Sequence, residues 1–146
     1  MTEVARVPEA GGAPGPALAA PAAVESFPFH LNLAPLREMV RVRGRRAGLP
    51  AHRVVDLVLA VGEATANTVR HAGGTGTLRI WQDETEIVCE VSDPGHMADV
   101  RAGELPPAAG TRGGQGLWII QQACDRVELR SSDAGTVIRM HVLRNA

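Results

Sequence analysis

The sequence predicts an α+β fold, a two-layer α/β sandwich in which a mixed, mostly antiparallel sheet carries helices on one face. Two observations predict it. Apolar-alternating runs come as neighbouring pairs, 77–81 with 87–91 and 127–130 with 136–143, each pair joined by a short turn. Runs with helical apolar spacing are inserted as blocks between the strands, rather than one after each strand.

The first strand is expected over Phe27-Pro28-Phe29-His30-Leu31, at a sheet edge because Pro28 cannot donate to a ladder. Leu36, Met39, Val40 and Val42 then mark a helix that stops at Gly48. Pro50 suits the first turn of the next helix. That helix carries Val54, Leu57, Val58 and Val61 on one face and runs to about His71, where Gly73 and Gly74 end it. The hairpin after it turns at Asp83-Glu84. From Asp93 to Gly113 the chain is rich in Pro, Gly and Ala, and a loop of that length in a compact domain is usually functional or mobile. A third helix is expected over 114–123. The last hairpin turns at Asp133-Ala134-Gly135. Residues 1–26 are Ala, Pro and Gly with scattered charge and read as a disordered tail, which leaves 27–146 as one domain.

Composition narrows the function. Of 146 residues, 45% are hydrophobic, and the 15 basic and 16 acidic side chains leave a net charge of −1. Every basic residue is Arg. Without Lys the chain cannot be a P-loop ATPase, a protein kinase of the eukaryotic type or a Schiff-base enzyme. Tyr is absent and aromatics make up 3%, against a stacking platform for single-stranded nucleic acid. Cys89 and Cys124 stand in core-like runs and read as free buried thiols without a zinc site. No apolar run is long enough for a membrane span, and the N-terminus has no positive n-region, so the expected compartment is cytoplasmic.

Four constellations carry chemistry. Glu63 and Asn67 lie four apart on the second helix and share a face, with Arg70 and His71 a turn later. Such a pair can hold a hydrated Mg²⁺ and orient a nucleophile, or form an ordinary solvated helix face. Ser92-Asp93-Pro94-Gly95 ends a strand. Its carboxylate can accept a hydrogen bond from an exocyclic amine, or cap its own turn. Arg112-Gly113-Gly114-Gln115-Gly116-Leu117 runs into a helix, whose free N–H groups suit phosphate, although the glycines read equally as hinges. Gly135-Thr136 enters the last strand, which alone is a hairpin turn. Neither glycine cluster completes a Rossmann fingerprint.

Glu-x-x-x-Asn on a helix, Asp-x-Gly after a strand, a glycine-rich helix entry and Gly-Thr on a late strand, in this order, resemble the GHKL ATPase superfamily. The similarity is greatest to its small stand-alone branch, the anti-sigma-factor serine/threonine kinases, and covers Phe27 to Leu143. The resemblance implies the histidine kinase-like ATPase fold, with ATP and Mg²⁺ as cofactors. It implies Glu63 as general base and Asn67 as Mg²⁺ ligand. Asp93 would meet the adenine amine, with Gly95 in the same box and Thr136 beside the base. Arg70, His71, Arg112, Gly113, Gly114, Gln115, Gly116 and Leu117 would lie around the nucleotide, and His96–Arg112 would form the ATP lid. Two departures stand out: His96, Met97 and Ala98 follow where the family has a second glycine, and the lid is short and Pro-rich.

The implied function is an ATP-binding anti-sigma factor with serine/threonine kinase activity toward an antagonist protein. The alternative is a non-catalytic module that binds partners with or without ATP. The implied partners are a sigma factor and a STAS-type antagonist, with a second copy of the chain as a further candidate. The Arg-rich first helix, with Arg37, Arg41, Arg43, Arg45 and Arg46, is the expected partner surface, or else a solvated face; no membrane and no direct nucleic acid contact are expected. Without Lys, phosphate contacts must come from backbone N–H groups, Mg²⁺ and Arg.

Overall fold

A computed structural model describes residues 3–6, 24–71, 74–95 and 115–144; the side chains of 3–6, His71 and Gln115 are outside the described set. The elements in chain order are β1 (Glu3–Arg6), β2 (Glu25–Phe29), α1 (Ala34–Arg46), α2 (Ala51–His71), β3 (Gly76–Gln82), β4 (Glu86–Asp93), α3 (Gln115–Ala123), β5 (Arg126–Ser132) and β6 (Gly135–Leu143). They build one sheet in the order β1-β5-β6-β4-β3-β2. All pairings are antiparallel except β1 with β5, so the sheet is mixed and mostly antiparallel as expected.

Both hairpins form where the alternation places them. The β3–β4 turn is held by Asp83, whose Oδ1 accepts from the Thr85 and Glu86 N–H groups at 2.7 and 2.9 Å. These bonds, with that from the Thr85 hydroxyl, hold the Asp83 carboxyl below the usual range. Helix α1 ends in a Schellman motif: Leu49 N–H reaches Gly44 O at 3.1 Å and Gly48 N–H reaches Arg45 O at 3.0 Å. Gly48 has φ +83°, which suits a residue without Cβ.

The tail expectation needs correction at both ends. Glu3–Arg6 is a strand, with Glu3 opposite Arg126 and Arg6 opposite Leu129. The outer edge of β5 otherwise leaves a row of backbone groups unpaired, and a short extended segment can pair there through backbone alone, whatever its composition. At the other end β2 begins at Glu25, inside the expected tail, and its Glu25 forms an ion pair with Arg43 of α1.

The core lies between sheet and helices. Leu78 and Ile80 of β3, Ile87, Cys89 and Val91 of β4, Val127 and Leu129 of β5, and Ile138, Met140 and Val142 of β6 share one sheet face. Against them pack Val40 of α1, Leu57, Ala60, Val61 and Ala64 of α2, and Leu117 and Ile120 of α3. Leu57 and Ile120 are fully buried, and each such side chain contributes about 1.5–3 kcal/mol relative to exposure. Cys89 and Cys124 are buried free thiols.

The opposite sheet face is charged. Glu90, almost fully buried, accepts from Arg79 Nε at 2.7 Å and from Arg139 Nη2 at 2.6 Å. Trp81 lies under both guanidiniums, 5.9 and 5.0 Å from ring centroid to Cζ. Arg53 of α2 fixes α3 from behind, bonding the Ala123 carbonyl at 3.2 Å and Asp125 Oδ2 at 2.5 Å. That carbonyl closes α3, where a cation suits the helix dipole.

Candidate functional site

Helix α2 organises the site. Its apolar stripe turns Val61 and Ala64 into the core, which leaves Glu63 and Asn67, half-buried, on the flank facing α3. Two threonines sit on the buried side. Thr65 Oγ1 donates back to Val61 O at 2.8 Å and so satisfies itself within the helix. Thr68, fully buried, reaches outward instead and donates to Asp93 Oδ2 at 2.8 Å. Asp93 is the last residue of β4, so this bond ties strand end to helix.

The other Asp93 oxygen, Oδ1, accepts from Gly95 N–H at 2.8 Å. The carboxylate therefore does cap its own turn, as the local reading allows. An ionised carboxylate has about four lone-pair positions, so two acceptor positions remain for a ligand.

Sheet register places Thr136 directly opposite Asp93. Thr136 Oγ1 donates to Gly95 O at 2.7 Å. Its single proton is thus committed, so in the 2.8 Å contact with Ser131 Oγ the serine is the donor. Gly135, φ +137°, precedes it; a Cβ there would collide with the Asp93 carbonyl. Asp93, Gly95 and Thr136 therefore form one hydrogen-bonded unit.

The second end lies a turn earlier on α2. A Cβ on Gly116, in the first turn of α3, would stand 3.1 Å from Glu63 Oε2, 3.5 Å from Asn67 Oδ1 and 3.7 Å from Arg70 Nη2. The absence of a side chain there leaves a cradle over all three polar groups. The first-turn N–H groups of α3 have no intrahelical acceptor, so the cradle is rimmed by donors and by the positive end of a helix. Arg70 Nη2 donates to Asn67 Oδ1 at 2.7 Å. Leu117 turns into the core, so only its backbone belongs to this rim.

Among the described residues no group of three His, Cys, Asp or Glu side chains could hold a metal unaided. Glu63 and Asn67 suit Mg²⁺, which keeps several waters and takes its remaining oxygens from substrate phosphates. The cradle at Gly116 leaves room, and Asn67 Oδ1 already accepts from a cation.

The structure thus brings together Glu63, Asn67, Arg70 and Gly116 at one end of the site and Asp93, Gly95 and Thr136 at the other. Arg112, Gly113, Gly114 and the lid over 96–112 lie outside the described residues, as do the side chains of His71 and Gln115. Sequence reasoning missed Thr68 and Ser131. Thr68 was visible as a hydroxyl on the apolar side of an amphipathic helix, where a buried polar group demands a partner. Ser131 carried no such signal.

Two cavities flank the site. One of about 530 Å³ opens at the strand ends and is lined by Thr77, Ser92 and Val137 from the charged sheet face, meeting Asp93 and Thr136 from behind. The other, about 490 Å³, is a groove between α1 and α2 lined by Arg37, Arg41, Val55, Leu59 and Gly62, and it ends at Glu63.

An antiparallel sheet backed by helices, with a carboxylate and carboxamide on α2 and an Asp–Thr pair at the sheet end, defines a class of nucleotide-handling domain. The profile of the histidine kinase-like ATPase domain matches residues 30–142, so it spans every one of these groups. The chain belongs to the histidine kinase-like ATPase domain family, within the GHKL superfamily. Serine-protein kinase RsbW of Halalkalibacterium halodurans is 35% identical in an alignment of 109 positions that covers 65% of this chain and 65% of that protein. The chain thus spans just under two thirds of the length of that relative. No helix among the described residues is long and apolar enough to cross a membrane.

Proposed function

We propose that this chain binds ATP with Mg²⁺ and transfers the γ-phosphoryl group to a Ser or Thr hydroxyl of an antagonist protein, as the anti-sigma factor of a cytoplasmic partner-switching system. The observation that carries the reading is the junction at Asn67 and Thr68. Successive residues of one helix face the two ends of the site, Asn67 with Glu63 under Gly116 and Thr68 on Asp93.

In this reading the adenine amine donates to the free lone pairs of Asp93, with Thr136 alongside. The first-turn N–H groups of α3 would hold the charge of the triphosphate. Asn67 would hold Mg²⁺, which would neutralise charge on the phosphates. Glu63 accepts the hydroxyl proton as the new O–P bond forms and the bond from Pγ to the β,γ-bridging oxygen breaks, and ADP leaves. The groove that ends at Glu63 supports a protein substrate. Val55 and Leu59 are 64% and 44% exposed on its floor, beside Arg37 and Arg41. This surface is also the proposed seat of the sigma factor, and a homodimer is proposed.

The test is transfer of label from γ-labelled ATP to candidate antagonist proteins. Transfer that Glu63→Gln removes while ATP binding persists supports the reading. Binding without transfer to any cognate partner overturns the kinase activity and leaves a second reading, an ATP-gated binding module. His96-Met97-Ala98, in place of the family's second glycine, favours that alternative. Wild-type protein that ignores ATP yet still holds its sigma factor leaves an ATP-independent binder.

A further inference from the structure

Ser131, Thr136 and Asp93 stand in one row across neighbouring strands. The register sets Ser131 of β5 opposite Thr136 of β6, and Thr136 opposite Asp93 of β4. Each continues the core-facing alternation of its strand, after Leu129, Ile138 and Val91. Asp93 ends the row at the base end of the proposed nucleotide site, and Ser131 and Thr136 are both buried. Only Asp133 and Ala134 separate the paired Ser132 and Gly135, so a tight turn fixes this register.

The hydrogen bonds along the row run one way. Ser131 Oγ donates to Thr136 Oγ1 at 2.8 Å, and Thr136 Oγ1 donates to the Gly95 carbonyl at 2.7 Å. Gly95 N–H donates to Asp93 Oδ1 and Thr68 Oγ1 to Asp93 Oδ2, both at 2.8 Å. Every proton of this unit is thereby committed, and what it leaves for a ligand is lone pairs, on Asp93 and on Thr136. A hydroxyl that accepts a hydrogen bond donates its own more strongly, so Ser131 pins the Thr136 proton on Gly95.

We infer that Ser131 sets the base specificity of the site: its proton fixes Thr136 as an acceptor, so the base end takes an exocyclic amine and refuses an exocyclic oxygen. This rests on the ATP reading above. A 6-amino purine brings the donor that these lone pairs need. A 6-oxo purine sets another acceptor against a carboxylate, and no proton of the unit is left to meet it. Without the Ser131 hydroxyl, Thr136 can turn its proton from Gly95 to that oxygen. Ser131 is thus a positioning residue that acts through Thr136.

The test is calorimetry with Mg-ATP and with Mg-ITP, its 6-oxo counterpart, on wild type, Ser131→Ala, Ser131→Cys and Ser131→Thr. Wild type is expected to prefer Mg-ATP by about 10²-fold or more, since a site built around a substrate N–H rejects the analogue without it. In Ser131→Ala the preference should shrink about tenfold, the size of one hydrogen bond to the 6-oxo group. Ser131→Cys, similar in shape with a weak S–H donor, shifts the ratio the same way by less, and Ser131→Thr keeps it. A merely structural role would weaken both nucleotides alike and leave the ratio unmoved. Before any nucleotide is added, the Thr136 hydroxyl proton followed by NMR should exchange with water faster in Ser131→Ala than in wild type. A ratio unchanged in both Ser131→Ala and Ser131→Cys overturns the inference and leaves the ATP reading intact, as does a wild type that binds both nucleotides equally. A wild type that binds neither overturns both.

Discussion

Thr68 Oγ1 donates to Asp93 Oδ2 across 2.8 Å, joining the last turn of the long helix to the end of a central strand. The bond is the only described link from α2 to the Asp93 carboxylate, and the donor is fully buried. Thr68→Val keeps shape and removes the proton. A hydrogen bond to a charged acceptor contributes about 1.5–3 kcal/mol, and stability should fall by that amount. Mg-ATP affinity should fall as well, because the carboxylate loses its orientation. Urea unfolding and calorimetry on Thr68→Val and Thr68→Ser check both, with the serine retaining most of each.

Glu63→Gln preserves the size of the side chain and removes its basicity. Phosphotransfer is expected to drop about 10²- to 10⁴-fold, the usual contribution of a general base. Mg-ATP affinity should change little. Single-turnover transfer alongside equilibrium binding separates the two effects.

Gly116→Ala separates stability from function. Gly116 does not have positive φ, so Ala is allowed there and gains up to about 1 kcal/mol of helix propensity. The new methyl would stand 3.1 Å from Glu63 Oε2 and fill the cradle. Thermal stability should hold while Mg-ATP affinity falls by about tenfold or more, because the methyl takes the space beside Glu63 and Asn67 that the ligand would need. A thermal melt with a parallel ATP titration reads this opposition directly.

Burial pushes the Cys124 thiol up to about 12 from 9.0, and burial together with its neighbour Cys124 also raises Cys89. An acid whose folded pKa is raised holds its proton longer when folded. Its stabilisation is complete below the unfolded thiol value and is lost as pH climbs toward the folded one. The urea midpoint should therefore fall between about pH 9 and pH 12, and Cys124→Ala should flatten that decline. Alkylation of either thiol at neutral pH should follow opening of the fold rather than reagent concentration.

The outline of the fold was legible because it rests on local periodicity. Alternation at 77–81 and 87–91 marks strands, and Val54, Leu57, Val58 and Val61 mark one face of a helix, wherever the chain goes next. The same periodicity put Glu63 beside Asn67, since a spacing of four is one helical turn. Motif order then placed Asp93, Gly116 and Thr136 in one family pattern.

Tertiary structure alone decided how these groups meet. The bond from Thr68 to Asp93 spans 25 residues and that from Thr136 to Gly95 spans 41, and neither leaves a trace in local spacing. Register of β4 against β6 set Asp93 opposite Thr136, and one step of slip would have sent one of them to the charged face. The pairing of β1 with β5 could not be read from a short strand in an Ala-, Pro- and Gly-rich tail, because backbone edges recruit partners without a side-chain signature. By itself the sequence determined which residues share a helix face or a strand, because those relations are set by backbone geometry. Only the packing of α3 over α2 brought Gly116 to Glu63, Asn67 and Arg70, because that depends on how whole elements bury their apolar faces together.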